Sequence, residues 1–109
     1  MKKINENEVP AKFGAWGSRY LFNEPDFSAG SAVIIPGGEI AEHMHDDEKE
    51  FFYFIKGTPL FKACGKEYRI CEGDAFLVET GESHALINDT GHDIKINFVK
   101  IKTKKHAGL

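Results

Sequence analysis

The sequence predicts an all-β jelly-roll barrel, and three observations carry that expectation. No stretch keeps the apolar period of a helix. Glycine or proline interrupts the chain roughly every 8 to 12 residues, the spacing of short strands joined by turns. Between the interruptions lie about nine short segments of β-type composition, enough for a two-sheet jelly roll. A chain of 109 residues has room for one domain with a single core. That core is expected over about residues 14–102, with an N-terminal arm before it and a basic tail after it.

Taken in order, residues 1–12 are polar, with a proline at position 10, and read as an arm or edge segment. Trp16, Ser18, Tyr20 and Phe22 alternate with Gly17, Arg19 and Leu21, which predicts a first strand with one aromatic face. Residues 23–30 are turn-rich and should end it, before a short strand over Ala32 to Ile35 that Pro36 breaks. Ile40 to His45 and Glu50 to Lys56 are the next two strands, joined by the polar turn Asp46, Asp47, Glu48, Lys49. The run Phe51 to Ile55 is apolar on both faces, so burial on both faces is expected. Leu60 to Cys64 and Glu67 to Cys71 form a hairpin with Gly65-Lys66 as a type II′ turn, which sets Cys64 opposite Glu67 and Cys71 opposite Leu60. The two cysteines then do not face each other and read as buried thiols of a reducing compartment. Ala75 to Val78, His84 to Asn88 and Asp93 to Lys102 complete the strands.

Composition narrows the function classes. An apolar fraction of 41% and a charged fraction of 28% are those of a soluble globular protein. No apolar run approaches the ~20 residues of a membrane helix, and the N-terminus carries no secretory block, so a cytoplasmic location without membrane contact is expected. A net charge of -3 leaves no basic field for nucleic acid. The cluster Lys100, Lys102, Lys104 and Lys105 reads as a solvated tail.

Chemistry concentrates between Gly37 and Gly57. His43 and His45 are one residue apart, so on a strand both rings leave from one face. If the next strand folds back, the Glu50 carboxylate returns beside them, and His84 from a distant strand adds a third imidazole. Three imidazoles and one carboxylate suit iron, manganese, nickel or zinc, and on an octahedral ion they leave two adjacent positions open. A structural zinc site is normally closed by four ligands, so this set points to a working site.

Two patterns of residues carry a resemblance to a known family. Gly37-x5-His43-x-His45-x4-Glu50-x6-Gly57 and Gly73-x5-Glu79-x-Gly81-x2-His84-x3-Asn88 resemble the two motifs of the cupin superfamily, 15 residues apart. The resemblance implies a small single-domain cupin, a double-stranded β-helix that binds one divalent metal through His43, His45, Glu50 and His84. One position departs: the family usually has proline where this chain has Glu79, which places an extra carboxylate near the barrel rim and removes no ligand. The superfamily includes dioxygenases, isomerases, epimerases, decarboxylases, lyases and non-enzymatic binding domains, so the likeness does not select a reaction. Asn88 is expected to fix a loop through side-chain hydrogen bonds, and His92 and His106 lie outside both motifs.

Around the ligands, alternation puts Phe52, Phe54 and Leu86 on the inner face, and Ile94, Ile96 and Phe98 share a face of the last strand. Such walls favour a compact, partly apolar small molecule held by chelation, although the same residues would serve as plain core. The expected function is a metal-dependent enzyme of oxygenase or isomerase/lyase type, with Tyr53 and Glu79 as candidates for a catalytic base. The other reading is a non-catalytic, metal-stabilised domain that binds or senses a small molecule. A homodimer is expected, because the aromatic N-terminal strand and the doubly apolar Phe51 to Ile55 run offer faces and edges that a second copy would cover.

Overall fold

The computed structural model describes residues 1–103, which fold into nine strands in two antiparallel sheets packed face to face. The strands are β1 (Gly17–Asn23), β2 (Phe27–Ile34), β3 (Glu39–His43), β4 (Glu48–Lys56), β5 (Leu60–Ala63), β6 (Lys66–Arg69), β7 (Ala75–Val78), β8 (His84–Ile87) and β9 (Ile94–Lys102). One sheet has the order β1-β2-β9-β4-β7 and the other β3-β8-β5-β6. This is the all-β jelly-roll, or double-stranded β-helix, that the sequence predicts. Lys104, Lys105 and His106 lie outside the described residues.

Alternation builds the core. Along β4, Glu48, Glu50, Phe52 and Phe54 are buried in turn, and along β9 Ile94, Ile96 and Phe98 answer them. From the facing sheet Phe61 and Leu86 close the layer. Burying each such side chain contributes about 1.5–3 kcal/mol, so this interlayer cluster outweighs the surface ion pairs, typically about 0–1 kcal/mol each.

Four expectations need correction. Strand β2 begins at Phe27, inside the stretch read as turn, because Ser28, Gly30 and Ala32 are small residues sandwiched between β1 and β9. A Cβ on Gly30 would sit 2.1 Å from the Arg19 carbonyl oxygen and 2.7 Å from Phe98, so only glycine fits that crossing. The single aromatic face of β1 is split, since a bulge at Leu21 sets Tyr20 opposite inward Gly30 but Phe22 opposite outward Ala29. The apolar run of β4 is buried on one face only, with Tyr53 and Ile55 both 41% exposed on the other.

The fourth correction concerns the cysteines. The hairpin turns on Cys64-Gly65, so Ala63 pairs with Lys66 and Lys62 with Glu67, a register displaced by two residues. Cys64 has φ 51° and Gly65 φ 78°. Positive φ at both central positions makes a type I′ turn, in place of the type II′ turn expected one residue further on. Cys64 at the tip and Cys71 beyond β6 are both free and exposed, not buried.

The N-terminal segment lies along the sheet. Its turn Glu6–Glu8 is closed by Asn5 in a capping box, and Glu6 accepts a hydrogen bond from Ser31 Oγ at 2.6 Å and pairs with Lys95. Those two contacts, Lys95 first, hold the Glu6 carboxyl below its ordinary range.

Candidate metal centre

Three strands and one irregularity deliver the site. In β3 a bulge between Ile40 and His43 lets His43 sit directly opposite His84 of β8. Met44 points away, 56% exposed, while His45 just past the strand end turns back beside His43, with ring centroids 4.9 Å apart. From the other sheet Glu50 projects inward between Glu48 and Phe52. One potential donor atom from each of His43, His45, Glu50 and His84 then lies within 4.8 Å of every other. The structure therefore gathers all four residues that the sequence grouped.

Each ring is turned by what holds its other nitrogen. His43 Nδ1–H donates to the Ala41 carbonyl at 2.8 Å, and His84 Nδ1–H to that of Glu82 at 3.2 Å. A carbonyl only accepts, so Nδ1 carries the proton and Nε2 keeps its lone pair. His45 Nδ1 lies 3.4 Å from Glu48 Oε1, which favours the same tautomer. Glu48 is itself 7% exposed and pairs through Oε2 with Lys102 Nζ at 3.1 Å. The loop over residues 79–82 pins the site from behind, with Gly81 N–H donating to the His45 carbonyl at 2.8 Å.

The convergence leaves polar atoms with nothing to bond. His45 Nε2, His84 Nε2 and Glu50 Oε1 are buried and have no hydrogen-bond partner in the protein, and each Nε2 is 3.4 Å from that oxygen. Lone pairs facing lone pairs in a buried site cost about 1–3 kcal/mol per unsatisfied group. One added proton would satisfy one ring, whereas a divalent cation satisfies all four groups at once. The donor set thus fits a transition metal such as Fe, Mn, Ni or Zn. Burial holds His43 below the ordinary imidazole range, helped by His84 and His45 and opposed by the Ala41 carbonyl and Glu50, which keeps the ring neutral and ready to ligate.

A cavity of about 490 Å³ opens beside the cluster and is lined by His43, His45, Glu50, Phe52, Ile96 and Phe98 among others. Phe52, Ile96 and Phe98 stand where alternation put them. Phe54, 0% exposed, and Leu86, 2% exposed, face inward but pack as core away from the cavity wall. Neither candidate base reaches the cluster: Tyr53 is on the outer face of β4, and Glu79 is exposed on the loop, its N–H bonded to Glu82 Oε1 at 2.8 Å. Asn88 fixes a loop as expected, donating to the carbonyls of Ile34 and His92 at 2.8 Å each and accepting from Thr90. His92 is exposed in its turn.

Three contributors were missed in the sequence. Glu48 reads in the sequence as a turn residue, although counting back by two from Glu50 puts it on the inner face. Lys100 reads in the sequence as one of a solvated lysine cluster at the end of the last strand, yet β9 sets it across from Glu50 and in the cavity lining. Its partner there is Tyr20, whose hydroxyl accepts from Lys100 Nζ at 2.6 Å. Burial works against the ammonium, but that hydrogen bond and the fields of Glu50 and Glu48 outweigh it and hold the lysine above its ordinary range.

Comparison with known proteins agrees with this architecture. A family model described as "Cupin domain" matches residues 30–100. An oxalate-binding protein of Thermotoga maritima is 33% identical over 66 residues, which cover 61% of this chain and 54% of that protein, so the match spans about half of the relative's length. A crystal structure of a predicted oxalate decarboxylase from the same organism superposes with a TM-score of 0.81 at 21% identity, covering 94% of this chain and 100% of that one. The cupin domain of Cnp3 from Schizosaccharomyces pombe superposes with a TM-score of 0.76 at 18% identity, covering 81% of this chain and 65% of the other.

Proposed function

The chain belongs to the cupin domain family, and we propose that it is a metal-dependent small cupin that takes a compact, chelating carboxylate into its barrel. The observation that carries this reading is the set of partnerless buried donors, His45 Nε2, His84 Nε2 and Glu50 Oε1, converging with His43 at the cavity wall. His43, His45, His84 and Glu50 would hold one divalent ion. Bound there, it would supply Lewis acidity toward a chelated oxygen and, if iron or manganese, redox capacity. The chain's own part is to orient the rings through Nδ1, to hold His43 neutral through burial, and to present an apolar wall of Phe52, Ile96 and Phe98 that excludes water from one side of the ligand. The name of the oxalate-binding relative supports a small carboxylate as the ligand class.

Two outcomes are compatible with such a site. In the enzyme reading the barrel performs oxygenase or isomerase/lyase chemistry on its ligand. The binding reading, a metal-stabilised domain without turnover, is favoured by one finding: Tyr53 and Glu79, the protein bases considered for catalysis, both lie outside the cavity. Metal-loaded protein titrated calorimetrically with oxalate, keto-acids, catechols and β-diketones, with oxygen uptake and products followed in parallel, separates them. Turnover of any member supports the enzyme, and binding without turnover the domain. If no member binds, the proposal of a chelating ligand is wrong.

A homodimer is part of the proposal. On the outer face of the five-stranded sheet, Phe27 pairs with Ile101 and Phe51 with both Val99 and Leu77. Phe27 and Ile101 are each 36% exposed and Leu77 49%. A second copy would cover this apolar strip. Among the described residues no helix is long and apolar enough to cross a membrane, and a reducing, cytoplasmic setting is proposed for the exposed free thiols of Cys64 and Cys71.

A further inference from the structure

Inside the cavity sits a cation that neither motif accounts for. Lys100 follows Ile94, Ile96 and Phe98 at the next inward position of β9, directly across from Glu50 on β4 and Ser28 on β2. Elsewhere among the described residues lysines pair with carboxylates: Lys2 with Glu24, Lys62 with Glu67, Lys95 with Glu6 and Lys102 with Glu48. Lys100, among the described residues, has no carboxylate within ion-pair distance, and its hydrogen-bond partner is the neutral hydroxyl of Tyr20.

The phenol is held in place. Its ring packs edge-on to Phe98 at 5.1 Å, and Lys100 Nζ lies 5.2 Å from its centroid. Because Tyr20 Oη accepts from the ammonium, its own hydrogen remains available to donate. Lys100 likewise uses one of its three N–H donors on Tyr20. Together they offer donors to an oxygen in the cavity that His43, His45 and Glu50 also line.

Charge decides what that oxygen belongs to. A divalent ion held by three neutral imidazoles is offset by Glu50 alone, since Glu48 is engaged with Lys102. Adding the Lys100 ammonium leaves the cavity floor positive by more than a monoanion cancels. At the mouth Lys12 is outnumbered by Glu39 and Glu42, so the positive charge is confined to the floor around Lys100. We propose that Lys100 and Tyr20 form an anion-recognition subsite beside the metal centre, which takes the anionic oxygens that the ion leaves free and so selects a compact dianion, such as a short dicarboxylate, over a monoanionic or neutral chelator. This inference rests on the metal-dependent reading above and names which charge state of ligand that site prefers.

The test uses two probes of nearly the same shape and different charge, oxalate and oxamate. Protein loaded with Mn(II) is analysed for metal content and then titrated calorimetrically as wild type, Lys100→Met, Lys100→Arg and Tyr20→Phe. All four proteins are expected to keep about one metal per chain. Lys100→Met should weaken oxalate about tenfold or more and oxamate less than about threefold, as expected for loss of a charge-assisted contact. Lys100→Arg should recover most of the oxalate affinity, which a merely structural role would not predict. Tyr20→Phe should weaken both probes modestly, by about two- to fivefold. Equal losses for the two probes in Lys100→Met, or no loss, overturn the subsite, as does a metal-loaded wild type that binds neither. A wild type that takes up no metal overturns the metal reading and this inference with it.

Discussion

At the scale of single residues, the site depends on which nitrogen each histidine offers. The four ligands were legible in the sequence for two reasons: one residue between His43 and His45 gives a shared face, and Glu50 and His84 sit at positions that match the cupin motifs. Their supports were not legible. Glu48 looked like one of four polar turn residues, and only the actual start of β4 shows it buried against His45. Replacing it should matter. Glu48→Leu removes the acceptor that holds Nδ1 and is expected to lower metal affinity about 10- to 100-fold in a chelator competition, while Glu48→Gln keeps an acceptor and loses less. Protons compete for the same rings. His43 is held below its ordinary value of 6.5 by burial, so in the metal-free protein its neutral form contributes stability that is fully present above 6.5 and is lost as pH falls below it toward the lowered folded value. Melting temperatures of the metal-free protein should therefore fall as pH drops below 6.5, and His43→Gln should flatten that part of the profile.

Elements follow the same alternation, and where the sequence reading slipped, tertiary packing or turn chemistry overrode it. Composition argued against a strand over residues 27–31, with small residues that favour turns. Yet Gly30 pairs with Tyr20 of β1 and Phe98 of β9, whose rings meet edge-on across it. A bulge costs one residue of register and cannot be read from period-two counting, so the split of β1 and the His43–His84 pairing were invisible until the strands were paired. The hairpin turn is a smaller case of the same limit. Cys64 adopts φ 51° in the left-handed region, a conformation that asparagine tolerates better than cysteine. Cys64→Asn should therefore raise stability by about 0.5 kcal/mol in chemical denaturation, and Gly65→Ala should lower it by about 1 kcal/mol or more.

For the molecule as a whole, the two sheets divide the work. The five-stranded sheet supplies Glu50, the apolar floor and Lys100, while the four-stranded sheet supplies His84 and, through β3, His43 and His45. Metal bridging the layers should then stabilise the fold, because an ion that binds only the native state shifts unfolding by mass action. The outer face of the larger sheet carries the dimer proposal, and sedimentation at micromolar concentration should give twice the chain mass. A monomer there would contradict it and leave the centre untouched. The central claim is that His43, His45, Glu50 and His84 form one metal centre, and elemental analysis of protein purified without chelator tests it most directly. About one transition metal per chain in the parent and almost none in His45→Ala is the predicted result. Equal content in the two proteins, or none in the parent after exposure to Fe, Mn, Ni and Zn, would contradict it.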